Sequence, residues 1–318
     1  MWSSIAKLLP QENVIWGGKV TALDIRGHQV VLNDGRIIKY KHCISTMPLD
    51  ITLHHFGRDD LASRLEYSSS HIIGIGLRGN VPHGRKCWFY FPEDNCEFYR
   101  VTCFSTYAEG NTPPASKLLP TLWVGNTRQP SASEPKAGPY WSLMFEINES
   151  KYKPVKLETI FEDTIRGAIA VNLLTESSEI VSLYHSRINH GFPTPTVHRD
   201  SVLDEALPLL KAHNFMSRGR FGGYKYEVSN QDHSVTIGVE AVDHILFGTA
   251  EVTHSFPQVV GRSRNNDLAY NVVSMSTDIE AEDAPVAASG TAVHGPTTLA
   301  PRNPTQPSSP KVSKQAAV

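Results

Sequence analysis

His71-Ile72-Ile73-Gly74-Ile75-Gly76-Leu77-Arg78-Gly79 matches the spacing Gly-x-Gly-x-x-Gly letter for letter. A dinucleotide fingerprint needs a strand before its first glycine and a helix after its last, whose N-terminus receives the pyrophosphate. Here the next residues are Asn80-Val81-Pro82-His83-Gly84, which start no helix. The segment therefore reads as a β-strand that carries glycines. The runs Lys86–Phe91, Phe98–Ser105, Leu122–Gly125 and Tyr140–Ile147 accompany it, interrupted by Pro/Ser/Thr-rich loops at 111–120 and 128–139. Five such runs joined by loops predict an antiparallel sheet.

Outward from that sheet, Val20–Ile25, His28–Leu32 and Arg36–Tyr40 read as a small meander, with Asn33-Asp34-Gly35 as one of its turns. An apolar strand at Lys41–Thr46 stops at Met47-Pro48, and Asp59-Asp60 would cap a short helix at Leu61–Leu65. Beyond Lys153 the period becomes helical: Leu157, Ile160, Phe161, Ile165, Ala168 and Ile169 share one face. A strand at Ile180–Ser186, a helix near Ser201–His213 and a last helix near Val235–Ala250 follow. The last helix is expected to turn Ile237, Ala241, Val242, Ile245 and Leu246 inward. The final stretch is rich in Ser, Thr, Pro and Ala, has no aromatic after Tyr270, and reads as a disordered tail. The fold class is α+β.

Composition bounds the function. The 318 residues are 40% hydrophobic, enough for a buried core, and 30 Lys+Arg against 32 Asp+Glu leave no basic field for nucleic acid. No apolar run is long enough to span a membrane, and the N-terminus has no signal-peptide pattern. Cys43, Cys87, Cys96 and Cys103 form no CxxC and no zinc spacing, so reduced thiols in a cytoplasmic protein are expected. There is no HExxH and no GxSxG.

Three segments carry chemistry. Cys87–Asn95, leading into Phe98-Tyr99-Arg100, would set aromatic rings, tyrosine hydroxyls and one arginine on neighbouring strands. Rings that stack and an arginine that forks onto phosphate suit a nucleotide, while the plainer reading is an aromatic core with a surface arginine. Ser217–Tyr226 holds three cations, two tyrosines and three glycines, fit either for close approach to an anion or for a flexible basic loop. Asn230-Gln231-Asp232-His233-Ser234 precedes the last helix, where unpaired N–H groups could receive a phosphate or an electron-rich ring edge. Capping by Asp232 or Ser234 is the ordinary alternative.

These segments together resemble the fungal-type UDP-galactopyranose mutases. The matching stretches are Ser45–Met47, Tyr67–His71, Lys86–Arg100 (KCWFYFPEDNCEFYR), Gly138–Ser142, His190–Thr196 (HGFPTPT), Ser217–Gly222 (SRGRFG) and Tyr226–Asp243. The resemblance implies interconversion of UDP-galactopyranose and UDP-galactofuranose through a covalent adduct at N5 of reduced FAD. Its ligand is UDP-galactose, and a homo-oligomer is open. It implies substrate contacts from Trp88, Tyr90, Arg100, Phe192 and Tyr226, and cofactor contacts from Arg220, Asn230, Gln231 and Ser234. Two positions depart from the family: Phe192 stands for a tyrosine and Ser229 for a glycine.

The family's N-terminal FAD-binding βαβ unit is not matched. The expectation is a truncated form, not competent alone. Its antiparallel substrate domain is placed at 67–200, beside an incomplete FAD-domain remnant of glutathione-reductase-like type. That remnant comprises 1–66, with the meander, and 201–262, and the mostly disordered tail covers 263–318. Two other functions stay open: a nucleotide-sugar-binding module without catalysis, and a flavin amine-oxidase-like oxidoreductase.

Overall fold

The computed structural model describes residues 2–129 and 133–260, so the tail expected at 263–318 lies outside the described residues. A short helix α1 (Trp2–Ala6) opens the chain. The expected meander forms from β1 (Val20–Asp24), β2 (Gln29–Leu32) and β3 (Ile37–Lys39), all antiparallel. Gly35 takes φ +83° in the turn between β2 and β3, a conformation that only glycine adopts cheaply.

β4 (Cys43–Ser45) lies parallel to β12 (Phe215–Ser217), which the sequence did not announce as a strand. Met47-Pro48 ends β4 as expected, but Pro48 also opens an unforeseen helix, α2 (Leu49–His55). Proline is tolerated there because the first N–H groups of a helix have no partner to lose. Asp59 and Asp60 were expected to cap the next helix. They lie instead inside its first turn, in α3 (Asp59–Ala62), where the helix dipole favours them.

The antiparallel sheet expected from the glycine-bearing strand is present, and the fold is α+β. β5 (Glu66–Arg78) is its long inner strand. β6 (Trp88–Tyr90), β7 (Arg100–Thr102) and β10 (Tyr140–Glu149) lie to one side of it. β11 (Glu179–Thr194), β8 (Trp123–Val124) and β9 (Thr127–Arg128) lie to the other, in the order β6-β7-β10-β5-β11-β8-β9. Gly74 and Gly76 face β11, where Tyr184 and Ser182 stand opposite them. A Cβ on Gly74 would come within 3.2 Å of the Tyr184 Cβ, and one on Gly76 would meet the Ser182 hydroxyl. The glycines make room for cross-strand side chains.

Alternation along β5 and β10 divides the sheet into two faces. Ile73, Ile75, Leu77, Leu143, Phe145 and Ile147 are buried on one face, against Ile160, Ile165 and Ala168 of α4 (Ile160–Ala170). Ile72, Gly74, Met144 and Glu146 lie on the opposite face. β11 runs well beyond the expected Ile180–Ser186 and shifts register between Ile188 and Phe192. At that irregularity, a Cβ on Gly191 would come within 2.7 Å of the Ser70 backbone nitrogen.

A second core gathers Leu49 and Leu53 of α2, Leu61, Phe215 and Tyr224 with Val202, Leu203, Ala206 and Leu210 of α5 (Arg199–Lys211). The Tyr224 hydroxyl donates to the Glu66 carbonyl at 2.8 Å and ties this core to the start of β5. After α6 (Gly219–Gly223), α7 spans Gln231–Phe247 and stops at Gly248, whose φ is +72°. Of the α7 residues expected to point inward, Ile237 and Ala241 are buried, but Val242 and Leu246 are exposed. Nothing in the described residues covers that side of the helix. No described helix is long and apolar enough to cross a membrane.

In α8 (Val252–Ser255), His254 is almost fully buried. Burial first, then the charges of Arg218, Lys225 and Lys211, holds its imidazole pKa down at about 2. The unfolded chain therefore takes up this proton first, and the contribution to stability, intact above about pH 6.5, is lost as pH falls from there toward the folded value. Thermal melts across that interval should show wild type losing stability more steeply with acid than His254→Asn, and equal slopes would contradict this account.

Candidate functional site

Arg100 begins β7 and stands directly opposite Tyr90 of β6 and Glu146 of β10, so all three share the face of the sheet opposite its hydrophobic core. Trp88, two residues before Tyr90, lies on the same face, and both rings are more than half exposed. Glu146 is nearly buried. It accepts from Arg100 Nε at 2.7 Å and Nη2 at 2.6 Å, and from the Tyr99 hydroxyl at 2.7 Å. Burial, then the hydrogen bond and charge of Glu146, pushes the Tyr99 phenol up to about 12. For Arg100, burial opposes the charge, but the hydrogen bonds and charge of Glu146, with Tyr90 and Tyr99, outweigh it and raise the guanidinium pKa.

A cleft of about 460 Å³ opens beside this cluster. Tyr99, Arg100, Glu146 and Asn148 line it together with Phe192, Arg220 and Asn230. The Arg220 guanidinium carbon lies 5.4 Å from the centre of the Phe192 ring, and Arg220 Nε donates to the Ser229 carbonyl at 2.9 Å. Two arginines from separate parts of the chain thus reach one cavity.

Asn230 is the N-cap residue of α7, with extended backbone and no capping bond from its side chain. Neither Asp232 nor Ser234 is the cap: both lie within the first turn, as does Gln231, so the helix begins four residues before the expected Val235. The helix end therefore presents unpaired N–H groups beside Arg220, an arrangement suited to an anion or to the electron-rich edge of a ring. The chain at Ser229 has φ −115°, so glycine is not required there, and the Ser229 hydroxyl is satisfied by the Tyr226 carbonyl at 2.8 Å.

Of the nine residues singled out from sequence, the structure brings Arg100, Phe192, Arg220 and Asn230 into the cleft lining. Trp88 and Tyr90 stand at the sheet edge on the same face. Gln231 and Ser234 lie in the first turn of α7 behind Asn230. Tyr226 is set apart, in a short 3-10 turn, with the Arg199 guanidinium 5.4 Å from its ring centre.

Two residues escaped the sequence reading. Glu146 is one of two acids in a largely apolar strand and resembles an ordinary solvent-facing position until its partners are known. Tyr107, seven residues after Arg100, packs edge-on against Trp88 with centroids 5.9 Å apart and extends the exposed aromatic edge. No group of three or more His, Cys, Asp or Glu side chains among the described residues is placed to hold a metal.

No protein-family model matches the chain. Among solved structures the chain is similar to a reduced UDP-galactopyranose mutase, with a TM-score of 0.71 and 38% identity, over 82% of this chain and 54% of that one. The chain thus spans about half the length of that mutase. A candidate protoporphyrinogen oxidase from Exiguobacterium sp. 255-15 overlaps 63% of this chain and 40% of its own, with TM-score 0.43 and 10% identity. An oxidoreductase from Methanosarcina mazei overlaps 54% and 36%, with TM-score 0.35 and 10% identity.

The Glu146 cluster makes a direct prediction. In Glu146→Gln the Tyr99 phenol should titrate below about 12 yet stay above the ordinary tyrosine value near 10, because burial remains when the carboxylate is gone. Carbon-13 NMR of the tyrosine ring carbons, assigned with Tyr99→Phe, reads the shift.

Proposed function

We propose that this chain forms the nucleotide-sugar-binding face of a UDP-galactopyranose mutase of the fungal type. The observation that carries the reading is the convergence of Arg100 and Arg220 on one cleft beside exposed aromatic rings. A pyrophosphate needs fixed positive charge, and a guanidinium presents it as a rigid planar fork. Arg100 supplies that fork held in place by Glu146, and Arg220 supplies a second charge in the same cleft. Trp88, Tyr90 and Tyr107 provide flat faces for the base or sugar. Phe192 gives a ring edge where a tyrosine would also give a hydroxyl, and Tyr226 joins the site if its turn moves toward the cleft.

The residues present fit one part of a flavin cradle. The uncapped start of α7 at Asn230, with Gln231 and Ser234 in its first turn and Arg220 beside it, offers N–H donors and positive charge to an electron-rich ring edge. Bound and reduced, FAD would supply an electron-rich nitrogen as nucleophile toward the sugar's anomeric carbon. The chain's own contribution is to fix the diphosphate, to stabilise its charge as it departs and returns, and to hold the sugar against the ring. On this reading residues 67–200 form the substrate side and 1–66 with 201–262 the flavin side. The chain spans about half the length of the mutase it resembles, and on this reading the rest of the cradle is contributed from outside it, so mutase turnover is not expected of this chain by itself.

Calorimetric titration with UDP tests the binding half. Arg100→Ala should weaken UDP binding by at least about tenfold, the loss expected when a charged hydrogen bond of about 1.5–3 kcal/mol is removed. Phe192→Tyr should tighten binding by up to a similar factor. UDP affinity that is absent, or unchanged in Arg100→Ala, overturns the reading. The flavin half is read separately: after addition of FAD and removal of the excess, the visible spectrum should show no stoichiometric flavin band. A retained band would show that this chain completes the cradle.

A further inference from the structure

We propose that Cys87 and Cys103 form a redox couple that opens and closes a cross-strand disulfide at the edge of the candidate site. In the β6–β7 pair Trp88 stands opposite Thr102, Phe89 opposite Val101 and Tyr90 opposite Arg100. One further step in that register sets Cys87 opposite Cys103, and the Cys103 N–H donates to the Cys87 carbonyl at 2.8 Å. Cys103 is buried in the core with Val101, and alternation from Phe89, two residues on, puts Cys87 on the same side of the pair. Trp88, Tyr90 and Arg100 occupy the other side.

The geometry is close to that of a disulfide. The Cys103 N–H bond to the Cys87 carbonyl marks a hydrogen-bonded position of the antiparallel pair, where Cα atoms stand roughly 5.5 Å apart and Cβ atoms about as far. A disulfide accepts Cα separations of about 4.4–6.8 Å and Cβ separations of about 3.5–4.5 Å. A shift of about an ångström closes the remaining gap, and the three-residue edge strand β6 is the element able to make it. Both residues are thiols in this structure. Cys43 instead stands opposite Phe215, and Cys96 lies beside Gly167.

The two thiols differ in access in the way an attacking and a resolving thiol do. Cys87 is half-buried, and its Sγ has one weak contact, to the Arg85 carbonyl at 3.8 Å. Cys103 is fully buried. With a low-molecular-weight disulfide as oxidant, the Cys87 thiolate attacks one sulfur, forms a mixed disulfide and expels the first thiolate. Cys103 then gives up its proton, and its sulfur attacks the Cys87 sulfur and releases the second small thiol. Two S–H bonds are lost, one S–S bond is formed, and the oxidant is reduced to two thiols. Closure fastens β6 to β7 beside Trp88, Tyr90 and Arg100, so redox state controls how freely that aromatic edge moves. The inference is independent of which ligand the cleft takes.

The test equilibrates the full chain with excess oxidised glutathione, alkylates remaining thiols under denaturing conditions, and maps peptides without reduction by mass spectrometry. The expected product is a Cys87–Cys103 cross-linked peptide, lighter by two hydrogens than its parts, with Cys43 and Cys96 alkylated. Cys103→Val should arrest at a glutathione adduct on Cys87. Cys87→Ser should leave Cys103 unmodified by glutathione. Full alkylation of the wild-type cysteines, or a lasting adduct on Cys87 beside a free Cys103, overturns the proposal.

Discussion

A buried carboxylate sets the terms for the whole cleft. Glu146 sits almost out of water on the face of the sheet opposite the hydrophobic core, and its charge is tolerable because Arg100 and Tyr99 together give it three hydrogen bonds. The same bonds fix the Arg100 fork in one orientation. They also half-neutralise it, so an incoming anion meets less positive charge than a free arginine would present. Arg220 lines the same cleft as a second cation, with the start of α7 beside it.

That cooperation depends on how the two hydrophobic cores are joined. Arg100 and Glu146 belong to the sheet packed on α4, whereas Arg220 and Asn230 belong to the segments around α6 and α7. Two polar contacts join the parts near the cleft. Tyr224 donates to the Glu66 carbonyl, and the His190 ring, stacked on Tyr67 at 3.8 Å, reaches the Asp50 carboxylate at 3.0 Å. His190 lies two residues before Phe192, so this joint also orients the ring beneath Arg220. The close approach of Gly191 to Ser70 holds the same stretch of β11 against β5.

Much of the sheet was legible in the sequence because period-2 alternation and turn residues recur from His71 to Ile147. The Gly-x-Gly-x-x-Gly match was also resolved correctly, since Asn80-Val81-Pro82-His83-Gly84 cannot start a helix. The structure adds the reason for the glycines, the side chains of Tyr184 and Ser182 on the next strand. Short elements stabilised by tertiary contact were illegible: α2 hides behind a proline that resembles a stop, and β12 has three residues and a partner far away in sequence. At the site, the residue types around Arg100 and Arg220 were readable, but their convergence on one cleft was not. Glu146 acquires its role only from strand register, which no local pattern encodes. The exposed side of α7 was misjudged because periodicity marks an apolar face without saying whether anything covers it.

A nucleoside diphosphate held in the cleft between Arg100 and Arg220, on the face of the sheet opposite its hydrophobic core, would leave a footprint on the backbone there. Hydrogen–deuterium exchange with and without saturating UDP reads that footprint. The account predicts new protection at Tyr99–Thr102, at Ile188–Phe192 and at the start of α7, with none at Gly79–Gly84. Protection confined to the loop after Gly79, or to surfaces away from Arg100, would contradict it.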